Sequence, residues 1–305
     1  MKTNVYIVIV TYNGLKWLSK CLKSCAPYPV IVVDNNSSDD TVSFIQSNFP
    51  QIIIIRQDHN LGFGAANNIG ISHALKLGVE YVFLLNQDAY LDTNTIEVLI
   101  NAHKANTNYG ILSPIHLNGE GTELDNNFSK YIQTNNDLQN DVNQKSYSKE
   151  IYEVPFVNAA AWLLPKNTIE TIGGFDPVFF HRGEDDNYCQ RVLFHNLKVG
   201  IVHKVHVRHD REFREKPILK NQAQKLVHYE RSLKQDLANI NIEIEGIVRK
   251  KKQIIIKTVL KSLLKLRINE AFLNIRKYKR LMRVLPEIET SRRVNREIDL
   301  HHLEK

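Results

Sequence analysis

Short β-rich runs alternate with helix-like stretches over the first 85 residues, and this alternation restricts the fold more than any other feature. The expected strand and helix pairs are 6–10 with 15–24, 30–33 with 40–47, and 52–55 with 65–77, and a fourth strand follows at 81–85. Such an order predicts an α/β fold with a mostly parallel sheet covered by helices.

Charge divides the 305-residue chain into two parts of different character. Residues 1–210 carry a net charge of −5, whereas residues 211–305 carry +12. With 43% hydrophobic and 24% charged residues, the composition is that of an ordinary globular protein and excludes collagen-like, disordered and low-complexity classes. We therefore expect one α/β domain over residues 1–215 and a basic, mainly helical region over residues 216–305.

The sequence shows no pattern typical of export or of membrane crossing. The apolar run near the N-terminus is too short for a signal peptide, and every apolar stretch is far shorter than the roughly 18 residues that a membrane span needs. The three cysteines are too few and too scattered for a disulfide framework. These features predict a cytoplasmic protein with reduced thiols.

Polar side chains appear abruptly where the predicted strands end, which is where ligands bind in sheets of this kind. Asp34 ends the second strand, where a carboxylate can accept hydrogen bonds from a base or a ribose. Asn86, Gln87 and Asp88 follow the fourth strand, where an aspartate can bind a divalent cation that also holds phosphate oxygens. A turn with a helix cap is the structural alternative for Asn86, Gln87 and Asp88, but it explains Asp34 less easily, because Asp34 ends a strand and does not directly precede a helix.

Gly62 and Gly64 form a Gly-x-Gly pattern before a predicted helix. Two glycines permit close approach of the backbone to a ligand and leave free amides at the start of the helix. Asn67 occupies the position of the third glycine of the dinucleotide fingerprint, and the acidic residue of that fingerprint is missing. The pattern therefore disfavours a nicotinamide-dependent enzyme.

Three consecutive carboxylates occur at Glu184, Asp185 and Asp186. Their mutual repulsion can raise a pKa into the range useful for a general base, while the structural alternative is the first turn of a helix that runs to Phe194. We expect Trp162 to be a core residue because its neighbours are apolar. A metal site of three histidines is not expected from His203, His206 and His209, because in a strand they would point to alternating faces.

Two further segments are distinctive. The polar, Asn-rich stretch 118–150 predicts an irregular or hairpin-bearing surface excursion outside the core. The chain is predicted to be helical and basic after Pro217, and one amphipathic helix there leaves two partners open, the α/β domain and an anionic membrane. Its apolar face holds Ile255, Ile256, Val259, Leu260, Leu263 and Leu264, opposite Lys257, Lys261 and Lys265.

Taken in order, six motifs resemble the inverting glycosyltransferases of family 2, particularly the rhamnosyltransferase-like branch that builds bacterial surface polysaccharides. The resemblance covers about residues 4–210. The motifs are 10–13, 33–39, 60–64 with Asn67 and Asn68, 84–88, 174–177 with Phe179 and Phe180, and Glu184 and Asp185 leading to Cys189 and Arg191.

The resemblance implies a GT-A type catalytic domain that moves a sugar, with rhamnose favoured, from a UDP- or dTDP-sugar to a hydroxyl of a glycan or lipid-linked acceptor. It implies Mg²⁺ or Mn²⁺ as cofactor, held by Asp88 and His209, and Asp185 as catalytic base beside Glu184. Asp34 would contact the pyrimidine base. The other donor-binding positions that it implies are Thr11, Tyr12, Asn13, Gly62, Phe63, Gly64, Asn67, Asn86 and Gln87.

Two positions depart from the family pattern. Asn86 replaces the first aspartate of the metal motif, and Asn187 replaces the last aspartate of the Glu-Asp-x-Asp pattern. The first departure leaves Asp88 as the main carboxylate ligand. The second leaves Asp186 outside the catalytic set that the resemblance implies.

Two other functions compete with sugar transfer. A sugar nucleotidyltransferase would share a nucleotide pocket and a metal carboxylate, but it should carry a basic, Gly-rich loop after the first strand, which is absent here. A non-catalytic protein that binds a membrane surface or nucleic acid through the basic region would leave the polar strand ends unexplained. The sequence leaves an anionic membrane surface, at the inner face of the cell membrane, open as a partner of the basic helix beside the first domain, and nucleic acid is not expected.

Overall fold

The computed structural model describes residues 4–211 and 221–304, so the predicted boundary at residue 215 and the helical onset after Pro217 lie outside the described residues. Two compact units divide the chain. The first is formed by Met1–Arg214 together with Ile298–Lys305, and the second by Glu215–Glu297.

A nine-stranded mixed sheet forms the centre of the first unit. Strands β1, β2, β3 and β4 are parallel to one another, β6 is parallel to β9, and β8 joins β4 to β6 in antiparallel pairing. The strand order is β3-β2-β1-β4-β8-β6-β9-β5, and β7 pairs with β9. The strands are β1 (Val5–Thr11), β2 (Val30–Asp34), β3 (Ile53–Arg56), β4 (Tyr81–Asn86), β5 (Ala89–Leu91), β6 (Tyr109–Asn118), β7 (Ile151–Glu153), β8 (Ala161–Pro165) and β9 (Lys198–His209).

Helices cover both faces of this sheet. Successive side chains of a strand point to opposite faces, so Ile7 and Ile9 pack into one core and Val8 packs into the other. The helices of the unit are α1 (Leu15–Ser24), α2 (Thr41–Asn48), α3 (Phe63–Lys76), α4 (Thr95–Ala105), α5 (Phe128–Tyr131), α6 (Asn136–Gln144), α7 (Lys166–Ile172) and α8 (Glu184–Phe194). The predicted fold class, a mostly parallel sheet with helices, is confirmed.

The Asn-rich stretch 118–150 is more ordered than the sequence predicts. It contains α5, a short 3₁₀ turn and α6, and it buries Phe128, Ile132 and Leu138 in the same core as Trp162. The prediction of an excursion outside the core was therefore wrong, because these three apolar residues are spaced widely among polar ones. The prediction for Trp162 is confirmed, since the side chain is fully buried and stacks on Phe175.

The second unit is helical, with α9 (Gln222–Leu237), α10 (Glu245–Leu264) and α11 (Ile268–Val294). Its small core is built from side chains of all three helices, among them Leu237, Ile255 and Leu281. Among the described residues, no helix combines the length and the apolar character that membrane crossing requires.

The C-terminal segment packs with the first unit, which differs from the linear division that charge predicts. The Gly174 N–H donates to the His301 carbonyl at 2.8 Å, and the Glu304 N–H donates to the Ser72 hydroxyl at 3.1 Å. Gly173 makes this approach possible, because a Cβ there would lie 2.3 Å from the His301 carbonyl oxygen.

Candidate active site

Strand register gathers the polar strand ends at one edge of the sheet. Thr11 is paired with Asp34 across β1 and β2, and Val10 is paired with Asn86 across β1 and β4. On the other side of β4, the Asn86 N–H donates to the Ala160 carbonyl at 2.9 Å, just before β8 begins. The ends of β2, β1 and β4 and the start of β8 thus form one row about 14 Å long, at three strand spacings.

Gln87 fastens the loop after β1 to the end of β4. Its side-chain oxygen accepts from the Thr11 hydroxyl at 2.7 Å and from the Tyr12 N–H at 3.0 Å. Gly14 leaves room for this contact, because a Cβ there would lie 2.3 Å from the same oxygen. The ring of Tyr12 remains 47% exposed beside this row.

The loops after β1 and β2 are tied together by side chains. The Asn13 N–H donates to the Ser37 hydroxyl at 2.9 Å, and the Ser38 N–H donates to the Asn13 side-chain oxygen at 2.8 Å. Asp34 is buried, and its two carboxylate oxygens accept the Ser37 N–H at 3.3 and 3.4 Å. The structure thus brings Asp34 and Asn13 into one loop cluster.

The two glycines of the Gly-x-Gly pattern approach protein atoms. A Cβ at Gly62 would lie 1.9 Å from the Phe180 carbonyl oxygen, and a Cβ at Gly64 would lie 2.9 Å from the Phe175 Cβ. Phe63 packs edge-on against Phe175. Close packing with segment 175–180 therefore accounts for both glycines, where the sequence predicts close approach to a ligand.

Asn67 and Asn35 have different environments in this region. Asn67 is buried and donates to the Phe63 carbonyl within its own helix. Asn35, which was not among the predicted site residues, accepts the Leu61 N–H at 2.8 Å and donates to the Gly62 carbonyl at 3.3 Å. Asn35 thereby attaches the start of α3 to the loop after β2.

Asp88 and His209 meet because β5 and β9 pair in antiparallel fashion with Ala89 opposite His209. The Asp88 Oδ1 lies 3.6 Å from the His209 Nε2, and both side chains are buried. The Asn86 Nδ2 lies 3.5 Å from the same imidazole nitrogen. Two motifs that are 121 residues apart in the chain, those of Asp88 and His209, thus form one polar cluster.

These three residues form a donor set that fits a divalent cation. Within the described residues, no group of three or more His, Cys, Asp and Glu side chains is arranged to hold a metal ion. The cluster offers one carboxylate, one imidazole and the Asn86 Oδ1, which is buried and has no hydrogen-bond partner among the described residues. Cations that bind diphosphates take few protein ligands and complete their coordination with phosphate oxygens.

Asp185 lies in the first turn of α8, after the left-handed Gly183. Burial by the surrounding protein raises the pKa of the half-buried Asp185 to about 6, and the neighbouring Asp186 carboxylate adds to the rise. Backbone N–H groups, including that of Ala159, oppose this shift. Glu184 is buried beside Gly64. A carboxylate with a pKa near 6 is ionised at neutral pH and retains enough basicity for proton transfer.

Three residues outside the predicted set interact electrostatically with predicted ones: Tyr131 with Asp185, Arg211 with Asp88, and Asp125 with His209. Arg211 forms an ion pair with the buried Asp125, and its Nε donates to the Asp125 Oδ2 at 2.8 Å. Burial, with a contribution from the Asp185 charge, raises the pKa of Tyr131 to about 12. Asp125 and Tyr131 belong to the excursion whose packing was mispredicted, and Arg211 follows the predicted His209, so the sequence offered little signal for them.

Comparison with protein families identifies the first unit. The family model described as glycosyl transferase family 2 matches residues 6–170. The dTDP-rhamnosyl transferase RfbF of Shigella flexneri is 28% identical over 217 residues, which cover 68% of this chain and 70% of that protein. The low-salt glycan biosynthesis hexosyltransferase Agl10 of Haloferax volcanii is 26% identical over 204 residues, covering 66% of this chain and 65% of that protein.

Solved structures share the fold at low sequence identity. GalNAc-T7, crystallised with UDP, GalNAc and Mn²⁺, superposes with a TM-score of 0.55 at 14% identity, over 77% of this chain and 50% of that chain. S. aureus TarS 1–349 in complex with UDP superposes with a TM-score of 0.50 at 14% identity, over 96% of this chain and 92% of that chain. Both comparisons support the GT-A assignment of the fold.

Proposed function

The chain belongs to glycosyl transferase family 2, and from this premise we propose that it transfers a sugar from a UDP- or dTDP-sugar to a hydroxyl group of a glycan or lipid-linked acceptor in surface polysaccharide synthesis. The observation that carries this proposal is the row of strand ends. Strand register aligns Asp34, Thr11 and Asn86 in this row, and the row ends beside Asp185. Rhamnose is the first candidate sugar, because one similar protein is a dTDP-rhamnosyl transferase.

The donor nucleotide would lie along the row of strand ends, with its base near Asp34 and its diphosphate near Asp88. The exposed ring of Tyr12 supports this orientation, because an aromatic face beside Asp34 can stack on a base. Thr11, Asn13 and Gln87 would shape the pocket through the hydrogen bonds that fix the first loop. Gly62, Phe63, Gly64 and Asn67 would act through the packing of the α3 start.

A divalent cation, Mg²⁺ or Mn²⁺, would be held by Asp88 and His209 with the Asn86 amide oxygen. When bound, it would supply positive charge that neutralises the diphosphate leaving group. Arg211 would assist, since its guanidinium interacts electrostatically with Asp88. Its ion pair with Asp125 fixes its position.

Asp185 would act as the base of a single displacement. It accepts the proton of the acceptor hydroxyl while that oxygen attacks the anomeric carbon from the face opposite the diphosphate. The bond between the anomeric carbon and the phosphate oxygen breaks, and the configuration of the sugar inverts. Positioned general bases contribute about 10²- to 10⁴-fold to rates. Glu184, next to Asp185 and buried, would help to orient the acceptor side of the site.

The proposal is tested by a thermal-shift panel on the full chain with UDP, dTDP and GDP, each with and without Mn²⁺. A ligand that binds only the folded protein raises its apparent stability. We expect a shift with UDP or dTDP that grows with Mn²⁺, and none with GDP. A nucleotide that binds with a Kd of about 1 mM would still raise the apparent stability at a concentration of about 1 mM. The absence of any shift at that concentration would therefore contradict the proposal.

A further inference from the structure

The α10–α11 hairpin exposes an unusual amount of apolar surface at its turn. The hairpin tip, defined as residues 254–275, contains nine of the seventeen large apolar side chains that are exposed in the described part of the chain. Scattered apolar residues are normal on a protein surface, but a contiguous concentration marks an interaction site. The nine are Ile254, Ile256, Leu260, Leu263, Leu264, Leu266, Ile268, Phe272 and Ile275.

Four of the five exposed large apolar side chains of α10 lie on one arc that the core of the second unit does not use, and the fifth, Ile254, lies on the side of the lysines. At about 100° per residue, the exposed arc spans about a third of the helix circumference and holds Ile256, Leu260, Leu263 and Leu264. Ile255 and Val259, which the sequence assigned to the same face, lie on the adjacent arc and pack into the core. The exposed arc therefore does not contribute to the fold of its own unit.

Positive charge surrounds this apolar surface. Residues 246–286 contain thirteen Lys and Arg side chains and a single acidic one, Glu270. Lys257, Lys261 and Lys265 are exposed and follow one another along α10 on the other side of the apolar arc. Apolar residues flanked by lysines are typical of helices that lie in the headgroup region of an anionic membrane.

We propose that the hairpin tip docks on an anionic lipid surface, with Leu263, Leu264 and Leu266 inserted among the headgroups and the lysines on lipid phosphates. Leu264 and Leu266 are 87% and 84% exposed, so insertion removes apolar area from water. Nucleic acid would pair with the lysines but leave these leucines in water. A second copy of this chain would present the same positive charge and be repelled.

Vesicle flotation of the full chain tests this proposal without donor or acceptor, so its outcome is independent of the proposed sugar transfer. We expect binding to phosphatidylcholine vesicles that contain about 30% phosphatidylglycerol, weak binding to phosphatidylcholine alone, and loss of binding at high salt. The triple variant Leu263→Ser, Leu264→Ser, Leu266→Ser should have an affinity for these vesicles that is lower by about tenfold or more. The charge variant Lys257→Gln, Lys261→Gln, Lys265→Gln should lose the salt-dependent part of the binding.

Leu77→Ser is the matched control, because Leu77 is also exposed, at 42%, but belongs to the first unit. It should bind vesicles as the unmodified chain does. Unchanged melting temperatures would show that the substituted leucines are not needed for folding. The proposal is overturned if the unmodified chain ignores anionic vesicles, if the leucine variant binds like the control, or if that variant abolishes a dimer while vesicle binding persists.

Discussion

Asn68 holds the backbone of Phe175 with both atoms of its side-chain amide. Its Nδ2 donates to the Phe175 carbonyl at 2.8 Å, and its Oδ1 accepts the Phe175 N–H at 2.7 Å. This pair of hydrogen bonds joins α3 to the segment that leads into α8, where Asp185 lies. Gly174 fits closely against the amide, because a Cβ there would lie 2.5 Å from the Asn68 Oδ1.

Replacing Asn68 with Ala should destabilise the first unit by about 2–4 kcal/mol, because it leaves a buried N–H and a buried carbonyl without partners. Asn67→Ala is the matched control, since Asn67 is equally buried but makes one hydrogen bond within its helix. Urea unfolding followed by tryptophan fluorescence measures both. Equal decreases in the free energy of unfolding for the two variants would show that the hydrogen bonds with Phe175 contribute no more to stability than the single bond of Asn67.

Gly62→Ala should impair folding of the first unit, because the position has φ of 84° and a Cβ there would clash with the Phe180 carbonyl. Gly246→Ala should instead stabilise α10 by about 0.5–1 kcal/mol, because no atom lies near the added methyl group and Ala favours a helix. Thermal melting of the two variants distinguishes them. A harmless Gly62→Ala would mean that the start of α3 is not packed as described.

His209→Gln should lower the apparent affinity for Mn²⁺ in nucleotide binding about tenfold or more, because it removes the imidazole beside Asp88. His206→Gln is the control on the same strand, because His206 is partly exposed and faces Asp92. Titration of Mn²⁺ at fixed nucleotide concentration in the thermal-shift assay measures the apparent affinity. Equal Mn²⁺ affinity in the two variants would remove His209 from the cation site.

The ion pair of Asp125 with Arg211 should make stability depend on acid pH. Burial alone would raise the pKa of Asp125, but hydrogen bonds from Arg211 and the Phe128 N–H hold it below its ordinary value. A depressed folded-state pKa gives stability that is present above the unfolded value of about 3.9 and lost as pH falls through the folded value. Melting temperatures between about pH 3 and pH 7 should therefore fall on acidification.

Asp125→Asn should lower the melting temperature at neutral pH and flatten its decline in acid. Asp137→Asn provides the comparison, because its ion pair with Lys149 is exposed and should matter little. If both variants retain the full acid dependence, other carboxylates are responsible for it.

The strands and helices of the first half could be predicted because each one carries its own periodic pattern. The predicted strand at 81–85 corresponds to β4, and the predicted helix at 65–77 corresponds to most of α3. Polar strand ends such as Asp34 and Asn86 were visible for the same reason, since a polar residue directly after a buried strand is a local signal.

Features that depend on distant contacts could not be predicted in this way. The clamp of Asn68 on Phe175 joins residues 107 positions apart. Burial of Phe128 and Leu138 depends on a surface that other segments provide, so widely spaced apolar residues looked like a surface loop. The segment around His301 packs on Gly173 and Gly174. The need for glycine at these two positions is visible only in the packed structure.

The central claim is that Asp185 accepts the acceptor proton, and the rate of sugar transfer as a function of pH tests it most directly. With the donor found in the nucleotide panel, kcat/KM should fall as pH drops below about 6, because burial raises the pKa of Asp185 to about 6 and only the ionised form is a base. Asp185→Asn should lower the rate by at least about 10²-fold while nucleotide binding stays unchanged. Near-normal transfer by Asp185→Asn, with the same pH profile, would contradict the account.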